Sequence, residues 1–99
     1  MDYSHIEDNA GHIVKLLKSI SNERRLIILC ALNCGEKSVG ELEEIIGLSQ
    51  SALSQHLARL RRDKLVSTRR EAQTIYYSVA SDRLKSVMDN FCDVIWTED

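Results

Sequence analysis

Proline is absent and glycine occurs only four times in 99 residues, which argues against loop-dense folds, collagen-like repeats and long flexible linkers. The longest uninterrupted apolar stretch, Leu26 to Leu32, falls far short of the roughly 20 residues that cross a bilayer. The opening Met1-Asp2-Tyr3-Ser4-His5 is acidic and polar, so no secretion signal is expected. The chain has three cysteines, and without such a signal they are expected to be reduced thiols in the cytoplasm, not a disulfide framework. What is present, 43% hydrophobic and 28% charged residues, is ordinary globular composition. The expectation is one small soluble domain over 1–99 that makes no membrane contact.

A net charge of −2 conceals a strong asymmetry. Residues 1–48 hold eight acids and five bases, a balance of −3, and residues 79–99 hold five acids and two bases, again −3. Residues 49–78 hold two acids and six bases, a balance of +4 carried by Arg59, Arg61, Arg62, Lys64, Arg69 and Arg70. One basic segment on an acidic body is the pattern of a phosphate-contacting surface.

Ser4 with Glu7 reads as a capping box opening a helix, along which Ile6, Ala10, Ile13, Val14 and Leu17 form an apolar stripe. A second helix from about Asn22 to Asn33 is apolar on all sides and belongs at the centre of the core, with Gly35 placed to end it. Ser38 with Glu41 starts a short third helix with Leu42, Ile45 and Ile46 inward, closed by Gly47. A fourth begins at Ser49 and keeps Leu53, Leu57 and Leu60 on one side. The period then changes. Leu65 to Arg70 and Thr74 to Val79 read as strands around a Glu71-Ala72-Gln73 turn that lacks the usual Gly or Asn. A last helix from Ser81 carries Leu84, Val87, Met88, Phe91 and Ile95.

Two short helices joined by Gly47-Leu48-Ser49 fit a helix-turn-helix. With Leu53, Leu57 and Leu60 inward, Ser51, Gln55, Ala58 and Arg62 face outward, Ser54 and Arg59 flank them, and Gln50 projects from the first turn. Short polar groups at a helix start suit base edges in the major groove, since Gln can pair twice with adenine. The free N–H groups at Ser49 and Gln50 favour a phosphate. His56, at the edge of the inward stripe, reads as a packed histidine donating to backbone or phosphate. Arg69 and Arg70 on the first strand are placed to flank the groove. An enzyme would need a converging nucleophile or acid–base set, and this helix offers only His56, so no catalytic activity is expected.

The stretch Gly47-Leu-Ser-Gln-Ser-Ala-Leu-Ser-Gln-His-Leu-Ala-Arg-Leu-Arg-Arg-Asp63 resembles the ArsR/SmtB winged-helix repressors. So do Leu65-Val66, the run Glu71 to Tyr77, Ser21 to Leu26 and Ser38 to Leu42. The likeness covers nearly the whole chain and is greatest to the branch holding the nodulation repressor NolR, the virulence regulator HlyU and the biofilm regulator BigR. It implies an α+β, mostly helical winged helix-turn-helix: about five helices, a helix-turn-helix over about 38–63 and a two-stranded wing over about 65–79. It also implies a homodimer, joined through helices at about 4–19 and 81–96, that represses transcription from a pseudo-palindromic duplex operator. Ser49, Gln50, Ser51, Ser54 and Gln55 are then the expected groove contacts, with His56 and Arg59 in support or on phosphate. Arg69, Arg70, Gln73 and Thr74 are the wing contacts, and Arg61 and Arg62 are secondary.

Many such regulators bind metal, and this chain lacks the ligands. The region matching the family's ELxCxCDL motif, Lys37 to Leu42, has no cysteine, and the last helix has Asp82, Asp89 and Asp93 but no histidine. His5 and His12 read as solvated. No cofactor is expected. HlyU- and BigR-like relatives carry one cysteine in the second helix and one in the last, linked by oxidants or polysulfides. Cys30 falls on the first position, whereas the second falls on Trp96, with Cys92 one turn earlier. Cys34 lies one turn after Cys30, so antiparallel packing would let Cys34 meet Cys92. Three readings stay open: a thiol switch answering a reactive sulfur species or oxidant, a constitutive regulator with structural cysteines, and an interaction module that has lost DNA binding.

Overall fold

A computed structural model describes residues 3–96. The elements run α1 (Ser4–Ile20), α2 (Glu23–Asn33), β1 (Lys37–Ser38), α3 (Val39–Ile46), α4 (Gln50–Arg62), β2 (Val66–Glu71), β3 (Thr74–Val79) and α5 (Asp82–Trp96). α2 is the axis of the core: Ile28, Leu29, Cys30 and Leu32 are all buried along it. Around them close Leu42 and Ile46 of α3, Leu53, Leu57 and Leu60 of α4, Leu65 and Val66 after it, and Leu84, Met88 and Cys92 of α5.

Local chemistry sets the helix ends. The Asn22 side chain accepts from the N–H groups of Arg24 and Arg25, satisfying two otherwise orphaned donors of α2. Ser38 and Glu41 form the reciprocal capping box of α3, at 3.2 and 3.0 Å. Gly47 then turns the chain in the left-handed region at φ 76°, and the Ser49 hydroxyl accepts from the Ala52 N–H to start α4. At the far end of α4 the Leu65 N–H reaches the Leu60 carbonyl and the Lys64 N–H that of Arg61. This is a Schellman motif with Lys64, not glycine, at φ 63°.

Several details depart from expectation, and one is Ile45, expected inward with Leu42 and Ile46 but exposed on the outer side of α3. Tyr3, and not Ser4, is the N-cap of α1; it has helical angles itself, its carbonyl accepts from Ile6 and Glu7, and its own side chain makes no cap bond. The sheet has three strands in the order β1-β3-β2, all antiparallel, because Lys37 and Ser38 pair with Tyr77 and Tyr76. Two residues are too few for alternation to show in a sequence. The hairpin turn is Ala72-Gln73 alone, with Glu71 paired to Thr74 and Ala72 at φ 56°.

α1 leaves its apolar stripe uncovered, with Ile6, Ile13, Val14 and Leu17 each about half exposed. Leu84, Met88 and Cys92 define the buried line of α5, which turns Phe91 and Val94 outward. Phe91, expected inward, lies on the flank of that line, and the Ile95 side chain lies outside the described residues.

Candidate nucleic-acid interface

α4 presents a continuous solvent face. With its three leucines buried, Gln50, Ser51, Ser54, Gln55, Ala58, Arg61 and Arg62 are exposed, and no acidic residue occurs between Gln50 and Arg62. Its first turn is short and uncharged, while Arg59, Arg61 and Arg62 crowd its last turn. Beside it runs an open cleft of about 500 Å³ lined by Ser54, Ala58, Arg61, Arg62 and Tyr77, the last from β3. Positive charge and small polar side chains therefore line a groove between α4 and the wing.

The register of the wing sorts its residues into two faces. Val66, Thr68 and Arg70 share a face with Val79, Tyr77 and Ile75, and Tyr77 borders the α4 cleft. Arg70 therefore lies on the α4 side. Ser67, Arg69 and Glu71 share the other face with Ser78, Tyr76 and Thr74. There Arg69 grips Glu36 with two bonds of 2.7 and 2.6 Å, reaches Glu71 at 3.0 Å and lies 4.6 Å over the Tyr76 ring. These bonds pull the Glu36 carboxyl below its usual range and hold the Arg69 guanidinium charged. The sequence places Arg69 as a wing contact flanking the groove; in the structure its guanidinium is engaged with Glu36 and fastens the wing to the segment before β1. Gln73 and Thr74 are exposed at the wing tip.

Behind the basic end of α4 lies a polar network that helical spacing did not foretell. The Ser19 hydroxyl donates to Asp63 Oδ2 at 2.8 Å, and the Ser19 carbonyl accepts from Arg25 Nε at 2.6 Å. Arg59 and Arg62 reach the two Asp63 oxygens at 3.4 and 3.5 Å. The Ser19 bond, then the two arginines, hold the Asp63 carboxyl below its ordinary pKa. Burial, then the charge of Arg59, lowers that of Arg25. His56 is half-buried beside this network, and burial, then the Arg25 charge, favours its neutral form. The sequence signal existed in Ser19 and Arg25, polar residues next to apolar positions, but their partners lie on other helices.

α2 and α5 pack together and bring cysteines to one place. Cys30 is buried at 3% exposure and Cys92 at 8%, while Cys34 is exposed. Burial first, then the adjacent Cys92 thiol and more weakly Cys34, push the Cys30 thiol up to about 12. Cys92 is thus the thiol that acts most strongly on Cys30, with Cys34 acting more weakly. Among the described residues no three His, Cys, Asp or Glu side chains gather as metal ligands, and no helix is long and apolar enough to cross a membrane.

The profile of the bacterial regulatory proteins of the arsR family matches residues 22–68, from the cap of α2 into β2. The transcriptional activator HlyU of Vibrio cholerae serotype O1 is 54% identical over 89 residues, covering 90% of this chain and 82% of HlyU. The chain belongs to the ArsR family. As an ArsR-family protein it is a regulator and not an enzyme, and its relatives fall in the expected HlyU and BigR branch. The crystal structure of the repressor BigR from Xylella fastidiosa superposes with a TM-score of 0.88 at 36% identity, covering 100% of both chains. The homodimeric winged helix-turn-helix domain of Mb0332 from Mycobacterium bovis matches with a TM-score of 0.76 at 27% identity, covering 94% of this chain and 83% of that one.

Proposed function

We propose that this ArsR-family chain is a sequence-specific double-stranded DNA-binding transcriptional regulator, a homodimer that represses by occupying a pseudo-palindromic operator. The acid-free outer face of α4 carries this reading: uncharged hydrogen-bonding groups at its start and arginines at its end suit bases and phosphates in turn. Ser49, Gln50, Ser51, Ser54 and Gln55 read the groove. Arg59, Arg61 and Arg62 meet phosphate, Arg70, Gln73 and Thr74 extend the contact along the wing, and His56 supports α4 from behind. The uncovered stripes of α1 and α5 supply the dimer contact, consistent with the homodimeric Mb0332 domain.

The juxtaposed Cys30 and Cys92 favour one further reading, release of DNA by oxidation. Two thiols and one peroxide give one disulfide and two waters, the peroxide taking both electrons and both protons. A bond between α2 and α5 would strain the core on which α4 rests. Fluorescence anisotropy against the duplex upstream of its own gene, reduced and then peroxide-treated with intact mass recorded, tests both statements. Tight binding when reduced, lost with the mass of a disulfide, is the expected result. Binding unchanged by a formed disulfide would leave the cysteines structural, and no binding in either state would favour an interaction module. Gln50→Ala and Gln55→Ala should each cost about 1–3 kcal/mol and relax preference at one base pair.

A further inference from the structure

Ser19 occupies an unusual position on α1. Most of that helix is exposed, yet Ser19 is wholly buried, at the crossing where α1, α2 and the end of α4 meet. A buried hydroxyl needs a partner, and this one donates to Asp63, which caps the C-terminal end of α4. Asp63 in turn collects Arg59 and Arg62 from the last turn of α4. The Ser19 carbonyl is held by Arg25, so the link is anchored in α2 as well. Asp63 has solvent access and could be hydrated without Ser19. What the bond adds is therefore direction: it ties the basic end of α4 to α1.

We infer that Ser19 is a positioning residue for DNA reading, which through Asp63 sets the recognition helix α4 and its Arg59 and Arg62 against α1. This rests on the DNA-binding reading above. It follows that α1, with its uncovered apolar stripe, is mechanically joined to the reading helix, so that a partner seated on α1 bears on how α4 meets the groove. The two ends of the link are distinct. Ser19 carries no charge, so its loss disturbs orientation alone, whereas loss of Asp63 also removes a negative charge near phosphate.

The test is a double-mutant cycle on the full chain, with Ser19→Ala, Asp63→Ala and the pair. Each protein is titrated by anisotropy against a duplex that the unaltered protein selects from a random-sequence pool, and against a scrambled duplex of the same composition. Ser19→Ala should lower the selected-to-scrambled affinity ratio about tenfold, the scale of one charge-assisted hydrogen bond, with scrambled binding unchanged. In the Asp63→Ala background it should have no further effect. Asp63→Ala alone should lower the ratio while raising affinity for the scrambled duplex, and it reads the same link should Ser19→Ala fail to fold. An unchanged ratio, an equal loss on both duplexes, or an undiminished Ser19→Ala effect without Asp63 would each overturn the inference. A pool from which the unaltered protein selects nothing would overturn the DNA-binding reading itself, and this inference with it.

Discussion

His56 shows how much a single environment decides. Its pKa in the folded chain lies below the ordinary 6.5, because burial and Arg25 both oppose the imidazolium. Protons therefore bind the unfolded chain more readily. The stability tied to neutral His56 is complete above the unfolded value and is lost as pH falls through the folded one. Asp63 titrates below its usual 3.8 and stays outside that window. Between about pH 7 and 5, the thermal midpoint should fall more steeply for the unaltered protein than for His56→Gln; parallel curves would contradict this. The thiols differ as sharply. Cys30, buried and pushed up to about 12, is a neutral thiol at physiological pH and a poor nucleophile, whereas Cys34 is open to solvent. Iodoacetamide on the native, reduced protein should label Cys34 well before Cys30, as peptide mapping would show, and denaturant should abolish the difference. Early labelling of Cys30 would mean that α2 and α5 open readily.

Turn chemistry governs the elements, and here the chain contains both a fitted and an unfitted solution. Gly47 turns α3 into α4 at φ 76°, with open space where a side chain would sit. Gly47→Ala should therefore cost about 1 kcal/mol through backbone strain alone. Ala72 stands in the same region at φ 56° in the two-residue hairpin, where glycine is the better occupant. Ala72→Gly should accordingly stabilise the protein by about 0.5 kcal/mol. Opposite shifts in urea midpoint would establish both, and shifts of the same sign would sink the argument. The cap at Ser38 was legible because its partner, Glu41, lies three residues away. The Ser4–Glu7 signal was equally local and misled, since Tyr3 adopts helical angles and takes the cap position. The third strand was illegible: β1 exists only through its pairing with β3, almost forty residues later.

For the whole molecule, the decisive feature is the apolar surface that one chain leaves in water. Ile13 at 50% exposure, Val14 at 46% and Leu17 at 48% lie on α1, with Phe91 and Val94 outward on α5. A charge there opposes association without touching the core. Ile13→Glu should shift sedimentation from dimer to monomer and weaken binding to a duplex with two half-sites by at least about tenfold, with helical content retained. A dimer that survives would place the contact elsewhere. Long-range electrostatics belong to this scale too. Arg61→Ala and Arg62→Ala should each weaken all duplexes alike and reduce the salt slope by about 1. A change confined to one sequence would move that arginine from phosphate to a base edge.

Periodicity and local capping are written residue by residue, so the helices, the inward leucines of α4 and the acid-free face opposite them could be read directly from the chain. The same holds for the segregation of positive charge into residues 49–78. Partnerships between distant elements are not written that way. Only packing tied Arg69 to Glu36, set Cys30 beside Cys92, rotated Phe91 outward and joined Ser19 to Asp63. A hydrogen bond or thiol contact depends on distances of a few ångströms between backbones far apart in sequence, and those distances exist only once the helices have docked.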